Sequence, residues 1–285
     1  MLDLLPSAFT DEAASRIDAL AAAALTHELI CYPKPGLVSL VDAGSHDDMD
    51  ASTFHASIAA LAGYFGAMAS AGAAGADFAA LNVIGRAAEA RMLAATGGVN
   101  THRGAVFSLG LAAAAAGAST QHRSAAAICR AVSDRWGPDI RAAGSLANGR
   151  THGAAVRSRY GAPGAREEAA AGFPTVIGHA LPAFRMARRA GAPLNDALVQ
   201  ALFTIVSVLE DNNLLYRGGQ AALEHAQRLA LDFLGSGGIL ARDGVARAIS
   251  IHRAFVAERM SPGGAADLLA VTAFLASVEE AHPAA

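Results

Sequence analysis

The sequence predicts an all-α fold, a single-domain array of about ten helices with polar site loops at the helix ends. Three observations predict it. Long alanine-rich segments carry apolar residues at helical spacing and open on Asp, Ser or Thr. Strand-like runs of Val, Ile and Thr are almost absent, and strands do not alternate with helices. No long polar, proline-rich or charged run divides the 285 residues, so one helical domain over 1–285 is expected.

The elements follow in order. Thr10 suits a helix N-cap, and Asp11 and Glu12 complement the first turn. That helix extends to about Ile30, with Ile17, Leu20, Ala24 and Leu25 as its apolar stripe, and Pro33 and Pro35 end it. Asp50 and Ser52 sit at the start of a second helix, Ala51–Ser70, which is apolar all round and therefore central. Asp77 opens a third helix to about Ala95. Gly97 and Gly98 break it, and Gly104 opens another through about Ala116. Thr120–Arg135 and Pro138–Ala147 read as two helices, and 148–173 as an irregular stretch with a helical portion at Arg166–Ala171. Pro174 suits the first turn of a helix ending at Gly191. Leu194–Leu209, Gly219–Leu234 and Asp243–Met260 follow, and a buried helix closes the chain after Ser261. Asp267 there reads as a first-turn acid.

Several polar stretches exceed what these helices need. Lys34 is the only lysine among 22 basic residues, set between two prolines. An ammonium is a compact point charge where guanidinium is a planar fork. Lys34 is thus either a solvated loop lysine or a close phosphate contact. His46, Asp47, Asp48 and Asp50 crowd one loop. One acid serves as a cap, and Asp47 and Asp48 offer oxygen ligands suited to Mg²⁺. Asn100, Thr101, His102, Arg103 and Gly104 lead into a helix, either as an anion site or as a plain inter-helix turn. Glu210 and Asp211 fall at the C-terminal end of an apolar helix, where the dipole opposes them unless a cation compensates. Asn213 and Arg217 follow. The 148–173 stretch, with His152, Tyr160 and Arg166, reads equally as a binding loop or a surface loop.

Composition excludes some classes. A formal net charge of −3 with scattered arginines gives no case for nucleic acid or an anionic membrane as partner. Cys31 and Cys129 form no framework and read as reduced thiols. The N-terminus lacks a basic region before its apolar residues, so a cytoplasmic location is expected. The uncharged 51–76 segment is long enough to span a bilayer, but its Ala, Gly and Ser content favours a buried helix. No GxGxxG follows a strand, and no Walker-type loop or zinc-spaced Cys/His set occurs.

The motifs together resemble one family. PKPGLV at 33–38, GSHDDMD at 44–50 and GVNTHRGAVFSLG at 98–110 recur in order with HG at 152–153, YG, AREEA and GFP within 160–174, EDNN with Arg217, and SPGGAADLLA at 261–270. This set resembles the triphosphoribosyl-dephospho-CoA synthases, the ATP:dephospho-CoA enzymes that serve citrate lyase and malonate decarboxylase. Ser45 and Arg103 within their motifs look more like the malonate decarboxylase branch.

The resemblance implies a reaction in which the 2′-hydroxyl of 3′-dephospho-CoA attacks the ribose C1′ of ATP and adenine leaves. The product would pass to a transferase that modifies an acyl-carrier subunit. Such chemistry wants a carboxylate near an oxocarbenium-like sugar, an acid and a base, and cations for the uncleaved triphosphate. Expected phosphate contacts are Lys34, Arg103 and Arg217. His46, Asp48, His102 and Glu89 are expected to be catalytic, and Asp47, Asp48, Glu210 and Asp211 to hold Mg²⁺. Asn100, Thr101, Gly104, His152, Tyr160, Arg166, Asn213, Ser261, Gly263 and Gly264 are further substrate-binding candidates. A homodimer is compatible with the chain. Two other classes remain: a Mg²⁺-dependent N-glycoside hydrolase acting on an ADP-ribosyl or nucleotide substrate, and a non-catalytic binder of CoA-like nucleotides.

Overall fold

The structure is a computed structural model. It describes residues 9–119, 124–146 and 152–281, and the side chains within them except at 144–146 and 152–154. Among the described residues there are thirteen α-helices and no strand: α1 (Asp11–Ile30), α2 (Ala51–Ala60), α3 (Tyr64–Ala73), α4 (Phe78–Ala95), α5 (Arg103–Ala118), α6 (Ala125–Leu146), α7 (His152–Tyr160), α8 (Ala165–Ala170), α9 (Leu181–Arg189), α10 (Leu194–Val208), α11 (Asn212–Gly235), α12 (Gly244–Ala257) and α13 (Gly263–Ala281). The all-α expectation holds.

Helix starts follow local chemistry. Thr10, Asp50 and Asp77 each accept a backbone N–H of the following turn, and Asp50 forms a reciprocal box with Thr53. Gly63, at φ 77°, splits the expected 51–70 helix into α2 and α3. Asp18 of α1 then accepts from the N–H groups of Gly63 and Gly66, capping α3 from another element. These two helices are bent by 41°, and among the described residues no single helix is long and apolar enough to cross a membrane.

Three expectations shift. The two helices predicted around residue 138 are one, α6, with Pro138 inside it. The described part of the irregular stretch, from 152 on, holds α7 and α8, the latter at the expected helical portion, and 148–151 lie outside the described residues. The chain from Pro174 to α9 widens to a π-turn at Val176–Ala180. Pro182 follows it, and a proline ring clashes with the carbonyl four residues back, which a wider turn relieves.

The core forms around α5, α10 and α13, whose residues are buried on nearly every side. Helix α3 lies against α5 at backbone distance: a Cβ at Gly72 would sit 2.0 Å from the Ala114 carbonyl oxygen. Larger side chains would push the pair apart, which explains the small residues of both helices. The N-termini of α5, α11 and α13 and the long loop before α2 contribute to one polar region.

Candidate active site

The 31–50 loop is fastened from beneath. Ser45 donates to the Met260 carbonyl at 2.6 Å, and buried His252 bridges the Lys34 carbonyl and the Asp42 carboxylate. Inside the loop, the Lys34 ammonium is wholly buried, 2.6 Å from Glu28 Oε1 and 2.5 Å from the Glu28 carbonyl. This corrects the expected direct phosphate contact: Lys34 is the buried partner of Glu28. It is Glu28, on α1, that reaches a cavity wall.

That cavity measures about 120 Å³, roughly ten times the space a single water needs. One side is the turn into α5, with Asn100, Thr101, His102, Arg103 and Gly104. The other side brings His46, Asn213, Arg217, Ser261 and Gly263. Ten of the residues expected from sequence therefore surround one space, between segments as far apart as 46 and 263.

The polar geometry within it is specific. Arg217 approaches His46 Nδ1 at 3.2 Å and also donates to the Ser45 carbonyl. A guanidinium has only donors, so Nδ1 accepts and the imidazole hydrogen sits on Nε2, which reaches Ser261 Oγ at 2.9 Å. Burial first, and Arg217 second, hold the His46 pKa below its ordinary value, against the pull of Asp48. Thr101 donates to Ser57 Oγ, which lies 2.6 Å from His102 Nδ1. The Ser57 proton then points to Nδ1, leaving hydrogen-bearing Nε2 of His102 buried without a partner. Burial, then nearby Lys34, lowers the His102 pKa to about 3, so its ring stays neutral. Arg103 is oriented by Glu89, 2.6 Å from its Nε.

Asp267, read from sequence as a simple first-turn acid, stands on the wall between this cavity and a second one, also about 120 Å³. Its carboxylate faces the α5 N-terminus and accepts from the Ala105 N–H. Gly104 makes room for it: a Cβ there would fall 1.9 Å from Asp267 Oδ2. Burial, followed by the negative charges of Asp211 and Glu28, pushes the Asp267 carboxyl well above the usual carboxylate range.

The second cavity takes in Glu210, Asp211, Gly264 and the shared Asn213. Here another expectation is corrected. Helix α10 ends at Val208, and Asp211 is the N-cap of α11, accepting from the N–H groups of Asn213 and Leu214 and, across to α13, of Ala265. Its position favours a carboxylate through the dipole, although burial raises its pKa to about 6.

Other expected residues lie elsewhere. Asp47 pairs with Arg259 at 2.7 Å, and Asp48 is largely exposed, 3.6 Å from His46 Nδ1. Tyr160 has Arg159 stacked over its ring, and Arg166 lies over Phe107. Glu89 stands behind Arg103 rather than on the wall. His152 opens α7, and its side chain lies outside the described residues. The proposed metal ligands divide between two loops, Asp47 is taken by Arg259 and Asp211 by backbone donors. Among the described residues no group of three His, Cys, Asp or Glu is placed to hold a metal. The expected ligands do not gather into one site made of protein groups alone among the described residues.

Sequence reasoning missed Glu28, Ser108 and Asn212, and undervalued Asp267. Glu28 sits in an alanine-rich helix and carries no local signal, whereas Ser108 and Asn212 lie inside the GVNTHRGAVFSLG and EDNN stretches beside more strongly polar neighbours. The SPGGAAD run is the clue to Asp267.

No solved structure matches the chain. The family model described as CitG, ATP:dephospho-CoA triphosphoribosyl transferase, matches residues 14–284. A Klebsiella pneumoniae protein named 2-(5″-triphosphoribosyl)-3′-dephosphocoenzyme-A synthase is 40% identical over 89% of this chain and 88% of its own length. Proteins of Azotobacter vinelandii and Acinetobacter calcoaceticus, carrying the same name qualified as probable, are 42% and 39% identical, each over 93% of this chain and 92% of their own length. The chain belongs to the ATP:dephospho-CoA triphosphoribosyl transferase family, and it is a transferase.

Proposed function

We propose that the protein makes 2′-(5″-triphosphoribosyl)-3′-dephospho-CoA from ATP and 3′-dephospho-CoA, with release of adenine. The observation that carries this reading is the order of charges along the site. Arg103, Arg217 and the α5 N-terminus flank one cavity, and Asp267, whose carboxyl burial pushes well above the usual carboxylate range, lines it too. That order suits a triphosphate held but not cleaved, next to a glycosidic bond that breaks.

Each residue then has a task. Arg103, aligned by Glu89, and Arg217, aligned by His46, bind triphosphate oxygens. His102 Nε2–H is a neutral donor to the same anion. Asp267 gives a proton to the departing adenine as the C1′–N9 bond breaks, the role of a carboxyl kept protonated by its surroundings. The 2′-hydroxyl oxygen of the acceptor forms the new bond to C1′, and its proton restores Asp267 over the cycle. Mg²⁺ enters as the counter-ion of ATP, and no residue is assigned to it.

The Ser45 and Arg103 variants of the motifs support service to malonate decarboxylase rather than citrate lyase. The product would go to a transferase acting on the carrier subunit. The reading is tested by mass analysis of the CoA product after incubation with ATP. A gain of one triphosphoribosyl group is expected, and an unchanged acceptor mass contradicts it.

A further inference from the structure

Three buried side-chain polar atoms lack a hydrogen-bond partner among the described residues: His102 Nε2, Ser108 Oγ and Asn212 Oδ1. His102 belongs to the arginine-flanked cavity, and both others line the second cavity. An unpaired buried polar group is costly, so two lining one cavity point to a ligand that completes them.

The chemistry of that ligand is legible. Among the described residues no Lys, Arg or His lines the second cavity, whereas Glu168, Glu210, Asp211 and Asp267 do. Phosphate is excluded by charge. Ser108, on α5 and wholly buried, can donate from its hydroxyl. Asn212, at the start of α11, offers a carbonyl acceptor. A donor and an acceptor lining one cavity, with Leu209 and Leu268 as its apolar part, match a neutral planar base carrying an amino group next to a ring nitrogen. The order of groups in ATP agrees. Its ribose bears the triphosphate at C5′ and adenine at C1′. Asp267, on the wall shared by the phosphate-suited cavity and this one, stands where the ribose must lie.

We propose that the second cavity is the subsite for the adenine of the transferred nucleotide, with Ser108 donating to a ring nitrogen and Asn212 Oδ1 accepting from the exocyclic amine. This rests on the preceding reading of the reaction. Both substrates contain adenine, and ATP is assigned because its base is one bond from the carbon at which Asp267 works. The pantetheine arm of the acceptor, also neutral, lies beyond a diphosphate from the reacting hydroxyl and has no such constraint.

Ser108→Ala tests the assignment, because loss of an unpartnered buried hydroxyl leaves folding stability unchanged or raised. Expected are an unaltered Tm, a KM for ATP raised at least fivefold, and a KM for 3′-dephospho-CoA within twofold of wild type. Asn212→Asp, which removes the amide but keeps an acceptor, should hold its preference for ATP over inosine triphosphate. Asn212→Leu should lose it. A rise in the acceptor KM alone assigns the cavity to 3′-dephospho-CoA and overturns the proposal. Binding of free adenine is measured separately by equilibrium dialysis. Wild type should bind it at least fivefold more tightly than Ser108→Ala, and equal or absent binding overturns the subsite. If wild type binds adenine in this way yet transfers nothing from ATP, the reaction reading fails and the base subsite stands.

Discussion

The Lys34 ammonium lies 2.6 Å from Glu28 Oε1 with its side chain wholly out of solvent. Glu28 in turn faces the cavity that also holds Asp267, and its charge raises the Asp267 carboxyl. A single buried cation thus neutralises one of two acids at the floor of the site. Removing one partner of a buried pair costs about 3–5 kcal/mol, because the other charge stays behind.

Lys34→Met should therefore destabilise the fold by about 3–5 kcal/mol in urea unfolding. Adding Glu28→Gln should recover part of that loss. Lys34→Arg should destabilise too, since the larger fork has no room in a wholly buried site. A Lys34→Met protein within about 1 kcal/mol of wild type would show that the pair contributes little.

Arg217 contacts His46, and in the proposed reaction it also binds the triphosphate. Arg217→Gln should lower kcat/KM for ATP by about 10–100-fold, or roughly 1.4–2.7 kcal/mol. It also removes the second cause that holds the His46 pKa down, leaving Asp48 to pull it up. His46 should then titrate at higher pH in NMR than in wild type. An unmoved His46 would contradict the Arg217–His46 contact.

The legibility of the chain divides along the same line. Thr10, Asp50 and Asp77 were readable as caps because a cap depends on three or four neighbouring residues. The polar lining from Asn100 to Gly104 and from Ser261 to Gly263 was readable as motif. Lys34 reads as a phosphate contact because its partner, Glu28, is the one acid in the last turns of an alanine-rich helix and gives no pattern of its own. Asp211 reads as an acid at a helix C-terminus because the break at 209–210 carries no glycine or proline. The kink at Gly219, with φ 69° and ψ −163°, hid the first part of α11 for the opposite reason: paired glycines looked like a start.

His102 makes stability sensitive to acid. The unfolded chain takes up a proton near the ordinary imidazole value of 6.5, whereas the folded chain resists until about pH 3. A depressed folded-state pKa gives stability that is full above 6.5 and declines as pH falls towards 3. From pH 7 to pH 5 His102 should account for a loss of about 2 kcal/mol. His102→Gln should show a correspondingly shallower decline in denaturant unfolding, and parallel declines would contradict the buried neutral ring.

Asp267→Asn keeps the shape of the side chain and its contact with the α5 N-terminus but has no proton to give. A loss of at least about 100-fold in kcat is expected, within the range of general acid catalysis. In wild type, kcat/KM should fall as pH rises through the raised Asp267 value, and the variant should lack that limb. Gly104→Ala, whose Cβ would lie 1.9 Å from Asp267 Oδ2, should reproduce much of the loss in a folded protein. Full activity in either variant would remove Asp267 from the chemistry.

The measurement that bears most directly on the account is adenine release from ATP, followed with and without 3′-dephospho-CoA. Transfer between the two nucleotides predicts release only when the acceptor is present, in step with acceptor consumed. Equal release without acceptor would identify a hydrolase of the N-glycosidic bond and contradict the account.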